Sequence, residues 1–146
     1  MEERIVDEEI TLVPYFPYAE VALQWYQDID VCKKVDNIDY VYTEELLNRM
    51  YDFLNKNGLC YYIRYNGVFV GDITLCNNTE ICIVVCKKYQ NLNIGRRCVL
   101  NIISLAKEKR LREVKARIYT FNTQSRKMFQ SIGFKRISEE WYIKSI

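Results

Sequence analysis

The stretch Val84-Val85-Cys86-Lys87-Lys88-Tyr89-Gln90-Asn91-Leu92-Asn93-Ile94-Gly95-Arg96-Arg97 decides the reading of this chain. An apolar run that follows Glu80 gives way to a short polar turn, and the turn to a helical pattern opened by a glycine and two arginines. The pattern predicts a strand over 80–85, a loop, and a helix N-terminus at Gly95. The first amides of a helix have no intrahelical acceptor, and its dipole is positive at that end, so a phosphate can bind there without a metal. Arg96 and Arg97 would add to the positive field. Taken alone, the segment is equally an ordinary strand-to-helix turn with solvated arginines.

A second segment, Asn122-Thr123-Gln124-Ser125-Arg126-Lys127-Met128-Phe129-Gln130-Ser131-Ile132-Gly133-Phe134, reads as a short helix with Asn122 as N-cap and Gly133 as the terminating glycine. Together, Gln90 to Gly95 followed by Asn122 to Phe134 resembles the acetyl-CoA-binding core of the GNAT family of N-acetyltransferases. That family's loop has the form Gln/Arg-x-x-Gly-x-Gly/Ala. Gln90 and Gly95 fit it, while Asn93 replaces the first glycine. Asparagine tolerates the left-handed backbone region better than other residues with a Cβ, so the turn survives the replacement.

The resemblance implies acetyl-CoA as co-substrate and a primary amine as acceptor, either a small molecule or a protein N-terminus. It implies that the loop and helix amides of Asn91, Leu92, Asn93, Ile94, Gly95, Arg96 and Arg97, with Gln90 before them, hold the pyrophosphate. The pantetheine arm behaves like a short extended peptide and would pair with the edge of the strand Ile83-Val84-Val85. A backbone amide near Val85 would stabilise the oxyanion of the tetrahedral intermediate. Asn122 would contact the pantetheine or orient the amine, and Ser125 is small enough to let its helix pack close to the cofactor. Phe129 stands where many members have a tyrosine that protonates the departing thiolate. A thiolate has a pKa near 8.5 and leaves without an acid at moderate cost. Ser125, Tyr119 or Tyr142 are the candidate substitutes.

Outward from these motifs, Ile10 to Val13 reads as a strand and Ala19 to Tyr26 as a helix. Thr43 caps a helix that stops at Asn57-Gly58. Leu59 to Tyr65 and Val68 to Cys76 form a hairpin about Asn66-Gly67. The Gly95 helix runs to a basic end at Lys107 to Arg110, Glu113 to Tyr119 is another strand, and Phe134 to Ile143 supplies a closing hairpin. The order is mixed α/β. With the resemblance, it implies a GNAT-like acyl-CoA N-acyltransferase fold, a mostly antiparallel central sheet flanked by helices. At 146 residues, with no linker-like stretch and no repeat, the chain reads as one domain over 1–146.

Composition narrows the chemistry. There is no histidine, which removes imidazole as a catalytic base and with it the usual Ser-His and Cys-His hydrolases. The six cysteines lie mostly in apolar strand-like or helix-like stretches and read as free thiols. Without histidine and without a close Cys pair, no metal site is expected. The net charge of +2 gives no strong reason to bind nucleic acid or anionic lipid. The acidic N-terminus lacks the basic and apolar regions of a secretory signal, and no apolar run approaches the roughly 20 residues of a membrane span, so a cytoplasmic location is expected. Dimers are common in the family, and no segment identifies an interface.

Any general base must be a carboxylate, a tyrosine, a lysine or a water chain. Glu80, at the start of the strand leading to the loop, is the first candidate, and Asp72 in Gly71-Asp72-Ile73 the second. Acceptor identity is expected to reside in Tyr15 to Tyr42, where Trp25, Tyr26, Tyr40 and Tyr42 interleave with Asp28, Asp30, Asp36 and Asp39, and around Trp141-Tyr142. The same composition also describes a partly buried helix pair with a solvated face. Two other functions stay open. Asn93 and Phe129 suit a non-catalytic acyl-CoA-binding domain, and Lys87-Lys88, Arg96-Arg97 and Lys107 to Arg112 suit a nucleic-acid module, although helix-terminal anion binding already explains those charges.

Overall fold

The Asn66-Gly67 turn organises the centre of the molecule. Both residues adopt positive φ, 47° and 81°, the geometry that matches the right-handed twist of the strands it joins. The computed structural model describes residues 1–146. The turn links β3 (Gly58–Tyr65) to β4 (Val68–Cys76), and they pair antiparallel with Val70 bulged between Arg64↔Phe69 and Ile63↔Gly71. With β1 (Arg4–Ile5), β2 (Ile10–Pro14) and β5 (Ile81–Val85) they form a five-stranded antiparallel sheet in the order β1-β2-β3-β4-β5. A second sheet, ordered β6-β8-β7, contains β6 (Glu113–Arg117), β7 (Lys135–Arg136) and β8 (Trp141–Ser145). The central sheet is thus mostly antiparallel and flanked by helices, as the sequence predicts.

Alternation along the strands divides the core. Ile63, Ile73, Leu75 and Ile81 face α4 (Ile94–Glu108) and α5 (Thr123–Ile132), whose buried stripe includes Cys98, Val99, Ile102 and Phe129. Cys60, Tyr62, Cys76 and Val84 face the opposite layer of α1 (Ala19–Trp25), α2 (Ile29–Asp36) and α3 (Glu44–Lys56). Asp72 shares that side of β4, and its closest polar partners come from this layer.

Several boundaries differ from the sequence reading. Helix α2 is absent from it, although Asp28 caps the helix by accepting from the Val31 amide at 3.2 Å and Asn37 ends it in the left-handed region. Strand β1 is likewise unanticipated, and the acidic N-terminus is in part a partner for α4. Arg4 donates to Glu108 at 2.8 Å and to Asn101. Strand β6 ends at Arg117 instead of Tyr119, the closing hairpin is shifted two residues onward at its end, and α4 starts at Ile94, one residue before Gly95. No helix is long and apolar enough to cross a membrane.

Gly71 fixes the spacing of β4 against β5. A Cβ there would lie 2.0 Å from the Val84 carbonyl oxygen, so any larger residue must push β5 away. Gly95, by contrast, would place a Cβ in ordinary contact, 3.7 Å from Ile83 and Met128. Gly71→Ala is therefore expected to cost about 2–3 kcal/mol, the range of an overpacked core, whereas Gly95→Ala should be neutral or stabilising by up to about 1 kcal/mol from helix propensity. Urea midpoints of the two variants check this, and equal midpoints would contradict the strand spacing described.

Candidate active site

Strand β5 is the outermost strand of the larger sheet and β6 of the smaller. They meet at one parallel bridge, Glu80↔Lys115, where the Lys115 amide donates to the Thr79 carbonyl at 3.1 Å. No ladder continues from that point. The strands part, leaving the edge of Ile81–Val85 without a strand partner across from Ala116 to Tyr119. Between them opens a cleft of about 820 Å³.

One half of the cleft is built for an anion and an extended chain. After β5, a single turn of 3-10 helix (Lys87–Tyr89) leads to Asn91 and Asn93, both at positive φ, 66° and 58°. Asn93 is the N-cap of α4 in left-handed geometry, as its replacement of glycine requires, and its side chain makes no capping bond. The amides from Asn91 to Arg96 find no acceptor within the chain, and the first intrahelical bond is from the Arg97 amide to the Asn93 carbonyl at 3.1 Å. The unpaired donors therefore converge at the positive end of a helix dipole. From α5, Asn122, Gln124, Ser125, Met128 and Phe129 line the same half. Asn122 caps α5 by accepting from the Ser125 amide at 3.2 Å, and Gln124 donates to the Asn91 side chain at 2.8 Å, tying the two helix starts together.

Several side chains expected at the cofactor are used elsewhere. Arg97 does not reinforce the loop's field. It pairs with Glu9 at 2.9 Å and Asp7 at 3.0 Å, and donates to the Leu92 carbonyl, so its charge is neutralised by the N-terminal segment. Arg97 and Leu92 do not line the cleft, whereas Arg96 does. The Gln90 amide donates to the Val85 carbonyl at 3.0 Å and braces the end of β5. Phe129 is buried edge-on against Phe134, with ring centroids 5.0 Å apart. Tyr142 is wholly buried, accepts from Arg126 at 3.0 Å, and is not a cleft residue, which removes it as a source of a proton there.

The other half faces α1, α2 and α3, and Asp72 lies at its base. This carboxylate is 2% exposed. Tyr26 and Tyr51 both donate to Oδ2, at 2.6 and 2.8 Å. The other oxygen, Oδ1, accepts no hydrogen bond, yet it is not sealed in, because the Thr74 hydroxyl is the one buried side-chain polar atom without a partner. Asp72 is one of the residues that line the cleft. Burial pushes the Asp72 carboxyl up to about 6, against the pull of the two phenols, and burial holds both phenols well above their ordinary range.

Of the residues expected to select an acceptor, Tyr26, Asp36 and Tyr42 reach the cleft. Trp25, Tyr40, Asp28, Asp30, Asp39 and Trp141 do not. Glu80 lies at the closed end, where the Cys82 thiol approaches its Oε2 at 3.7 Å. Cys76 and Cys82 line the adjacent wall with their sulfurs 3.9 Å apart, and all six cysteines are free. The sequence reading missed Tyr51. Its spacing with Leu47 and Leu54 is that of a buried helical stripe, and nothing local marks its hydroxyl as a ligand of Asp72.

Because the Asp72 carboxyl is raised from 3.8 to about 6, the native state holds its proton at pH values where the unfolded chain has lost it. Stability is favoured below the unfolded value and falls as pH rises through 6, by about 3 kcal/mol in all. Asp72→Asn, which keeps an acceptor for both phenols, should therefore be more stable than the parent at pH 8, and the difference should vanish near pH 4. Thermal melts across that range test it, and a pH-independent difference would rule out a raised pKa at Asp72.

Comparison with known proteins matches residues 22–134 to the model of the acetyltransferase (GNAT) family. Among solved structures, a domain from Methanocaldococcus jannaschii superposes with a TM-score of 0.81 at 23% identity, covering 96% of this chain and 100% of that one. A GNAT-family acetyltransferase from Bacillus anthracis gives 0.75 at 22% identity, with 95% of each chain covered. The microcin C7 self-immunity acetyltransferase MccE, solved with acetyl-CoA and AMP, gives 0.75 at 18% identity over 97% of this chain and 94% of that one. No curated protein sequence matches the chain significantly.

Proposed function

The chain belongs to the acetyltransferase (GNAT) family, and we propose that it moves an acetyl group from acetyl-CoA to a primary amine by direct attack. The observation that carries this reading is the parting of β5 from β6, which leaves a strand edge and a run of helix-start amides unpaired side by side. The amides and Arg96 suit a pyrophosphate, and the free edge of Ile83 to Val85 suits the two amides of a pantetheine arm. Asn122, at the start of α5, is positioned to meet that arm from the other side.

An ammonium has no lone pair, so the acceptor must lose a proton before its nitrogen can attack the thioester carbonyl carbon. Three carboxylates reach the cleft, Asp36, Asp72 and Glu80, and the last two are the candidate bases. Glu80 sits at its closed end beside Cys82. Asp72 has the stronger claim to the proton, because both its phenol donors are on Oδ2 and burial raises its pKa to about 6. Once the carboxylate has taken that proton, the nitrogen–carbon bond forms. The nitrogen of the tetrahedral intermediate gives up its second proton to water as the carbon–sulfur bond breaks, and the electron pair leaves on the CoA sulfur. A backbone amide near Val85 would hold the oxyanion between these events. Phe129 has no proton to offer the sulfur. Tyr26 and Tyr42 already donate to Asp72 and Asp36. Tyr119 lines the cleft with its hydroxyl unassigned, and burial raises its pKa, so it keeps a proton to give. Phe129 also motivates a second reading, an acyl-CoA-binding domain without turnover.

Calorimetric titration with acetyl-CoA, followed by mass spectrometry of amines incubated with the loaded protein, separates the two readings. Binding with a micromolar Kd and an acetylated amine are expected, while binding without product would favour the second. Activity should rise with pH through about 6, since the base must be ionised. Asp72→Asn should lower kcat/KM by about 100-fold or more and abolish that limb of the profile. If Glu80→Gln shows this loss and Asp72→Asn does not, the base is Glu80.

A further inference from the structure

Of the six cysteines, only Cys76 and Cys82 line the cleft, and the reaction proposed above uses neither. Their sulfurs stand 3.9 Å apart, close enough for one thiol to donate to the other, and the Cys82 thiol also approaches Glu80 Oε2 at 3.7 Å. The strand register sets up this pair. Thr74 is opposite Cys82, so Cys76, the last residue of β4, lies diagonal to Cys82 on the same face of the sheet. The end of the hairpin holds them there. The Cys76 amide donates to the Glu80 carbonyl at 2.8 Å, and the Thr79 amide to the Cys76 carbonyl at 2.9 Å.

The other thiols are placed differently. Cys98 belongs to the core on the α4 side, Cys60 is wholly buried, and Cys32 is buried and donates to the Tyr26 carbonyl at 3.2 Å. Packing accounts for these three as small apolar side chains. It leaves unexplained two thiols that meet in the wall of a cleft of about 820 Å³, beside a carboxylate and next to Asn77 and Asn78, exposed turn residues that line the same space. Donation of the Cys82 S–H to the Cys76 sulfur lowers the Cys76 pKa and raises that of Cys82. Cys76 therefore holds the larger thiolate fraction and is the attacking sulfur.

We propose that Cys76 and Cys82 form a thiol–disulfide exchange site, at which a low-molecular-weight disulfide entering the cleft oxidises the pair to an intramolecular disulfide. Cys76, having lost its proton to water, attacks one sulfur of the incoming disulfide. A bond to Cys76 Sγ forms, the incoming S–S bond breaks, and one half leaves as a thiolate that takes up a proton from water. Cys82 then passes its proton to Glu80, whose Oε2 it faces, and attacks Cys76 Sγ. The Cys76–Cys82 bond forms, and the second half leaves as a thiolate that takes the proton back from Glu80. The two protein thiols lose two electrons and two protons, and the incoming disulfide gains both. A disulfide holds its sulfurs about 2 Å apart, so the pair closes by about 2 Å at the end of the hairpin. Once formed, the bond ties β4 to β5 and removes the S–H that faces Glu80.

The probe is glutathione disulfide, mixed with glutathione at a series of ratios and incubated with the folded protein. After acid quenching, the chain is denatured, its remaining thiols are alkylated, and intact and peptide masses are measured. Cys76 and Cys82 are expected to be the two of six thiols lost to alkylation, with a bond mapped between them and no glutathione retained on either. The loss should reverse when glutathione is restored. Cys82→Ser lacks the second attacking thiol and should retain one glutathione on Cys76. Six free thiols at every ratio, a bond to another cysteine or between chains, glutathione retained on Cys76 of the parent, or a Cys82→Ser chain without that adduct would each overturn the proposal. None of these measurements depends on acetyl transfer.

Discussion

Strands β5 and β6 are joined by one bridge, Glu80↔Lys115, and every functional feature of the molecule depends on their failure to pair beyond it. A continued ladder would close the cleft and satisfy the edge of Ile81–Val85. An open, unsupported edge would instead be an aggregation hazard in most sheets. Here the hazard is limited, because the edge is recessed between α4, α5 and the smaller sheet. The parting is held from behind. Gly71 lets β4 come close to Val84, Gln90 ties down the Val85 carbonyl, and Gln124 bonds Asn91 across the mouth. These three contacts connect sequence-local features to a cleft that no single element forms.

Asp72 shows the energetic side of the same arrangement. A carboxylate buried to this extent loses most of its hydration, and two phenols on one oxygen return only part of it, which is why its pKa remains raised. An asparagine would satisfy both tyrosines without that cost. Packing alone gives no reason for a carboxylate there, and the base role proposed for Asp72 supplies one.

Most of the fold is legible in the sequence because its signals are local. The Asn66-Gly67 turn, the Thr43 and Asn122 caps, the Gly133 terminator and the left-handed Asn93 all act within a few residues, and each is found where its chemistry places it. Helix α2 carries such signals too, in Asp28 and Asn37, but its short span and β-branched residues obscure the helical period. The side-chain partners that shape the cleft are not local. Tyr26 and Tyr51 are 46 and 21 residues from Asp72, and Asp7 is 90 residues from Arg97. An arginine next to a phosphate-loop glycine reads as a phosphate ligand until the chain that neutralises it is in place. Two acids of the N-terminal segment, Asp7 and Glu9, make that contact.

Removing Arg97 from the loop has a further effect on the electrostatics of the cleft. The anion-binding end is then built from backbone amides and Arg96, whose influence falls off within the first turn of α4. A broad positive field from two arginines would extend further along the cleft. With Arg97 paired to Asp7 and Glu9, the positive region stays short, and the space beyond it is lined by Asp36, Asp72 and Glu80 together with Lys34 and Arg117, which pair with Asp30 and Glu140. In a chain with a net charge of only +2, it is the local separation of charge, not the total, that shapes the field of the cleft.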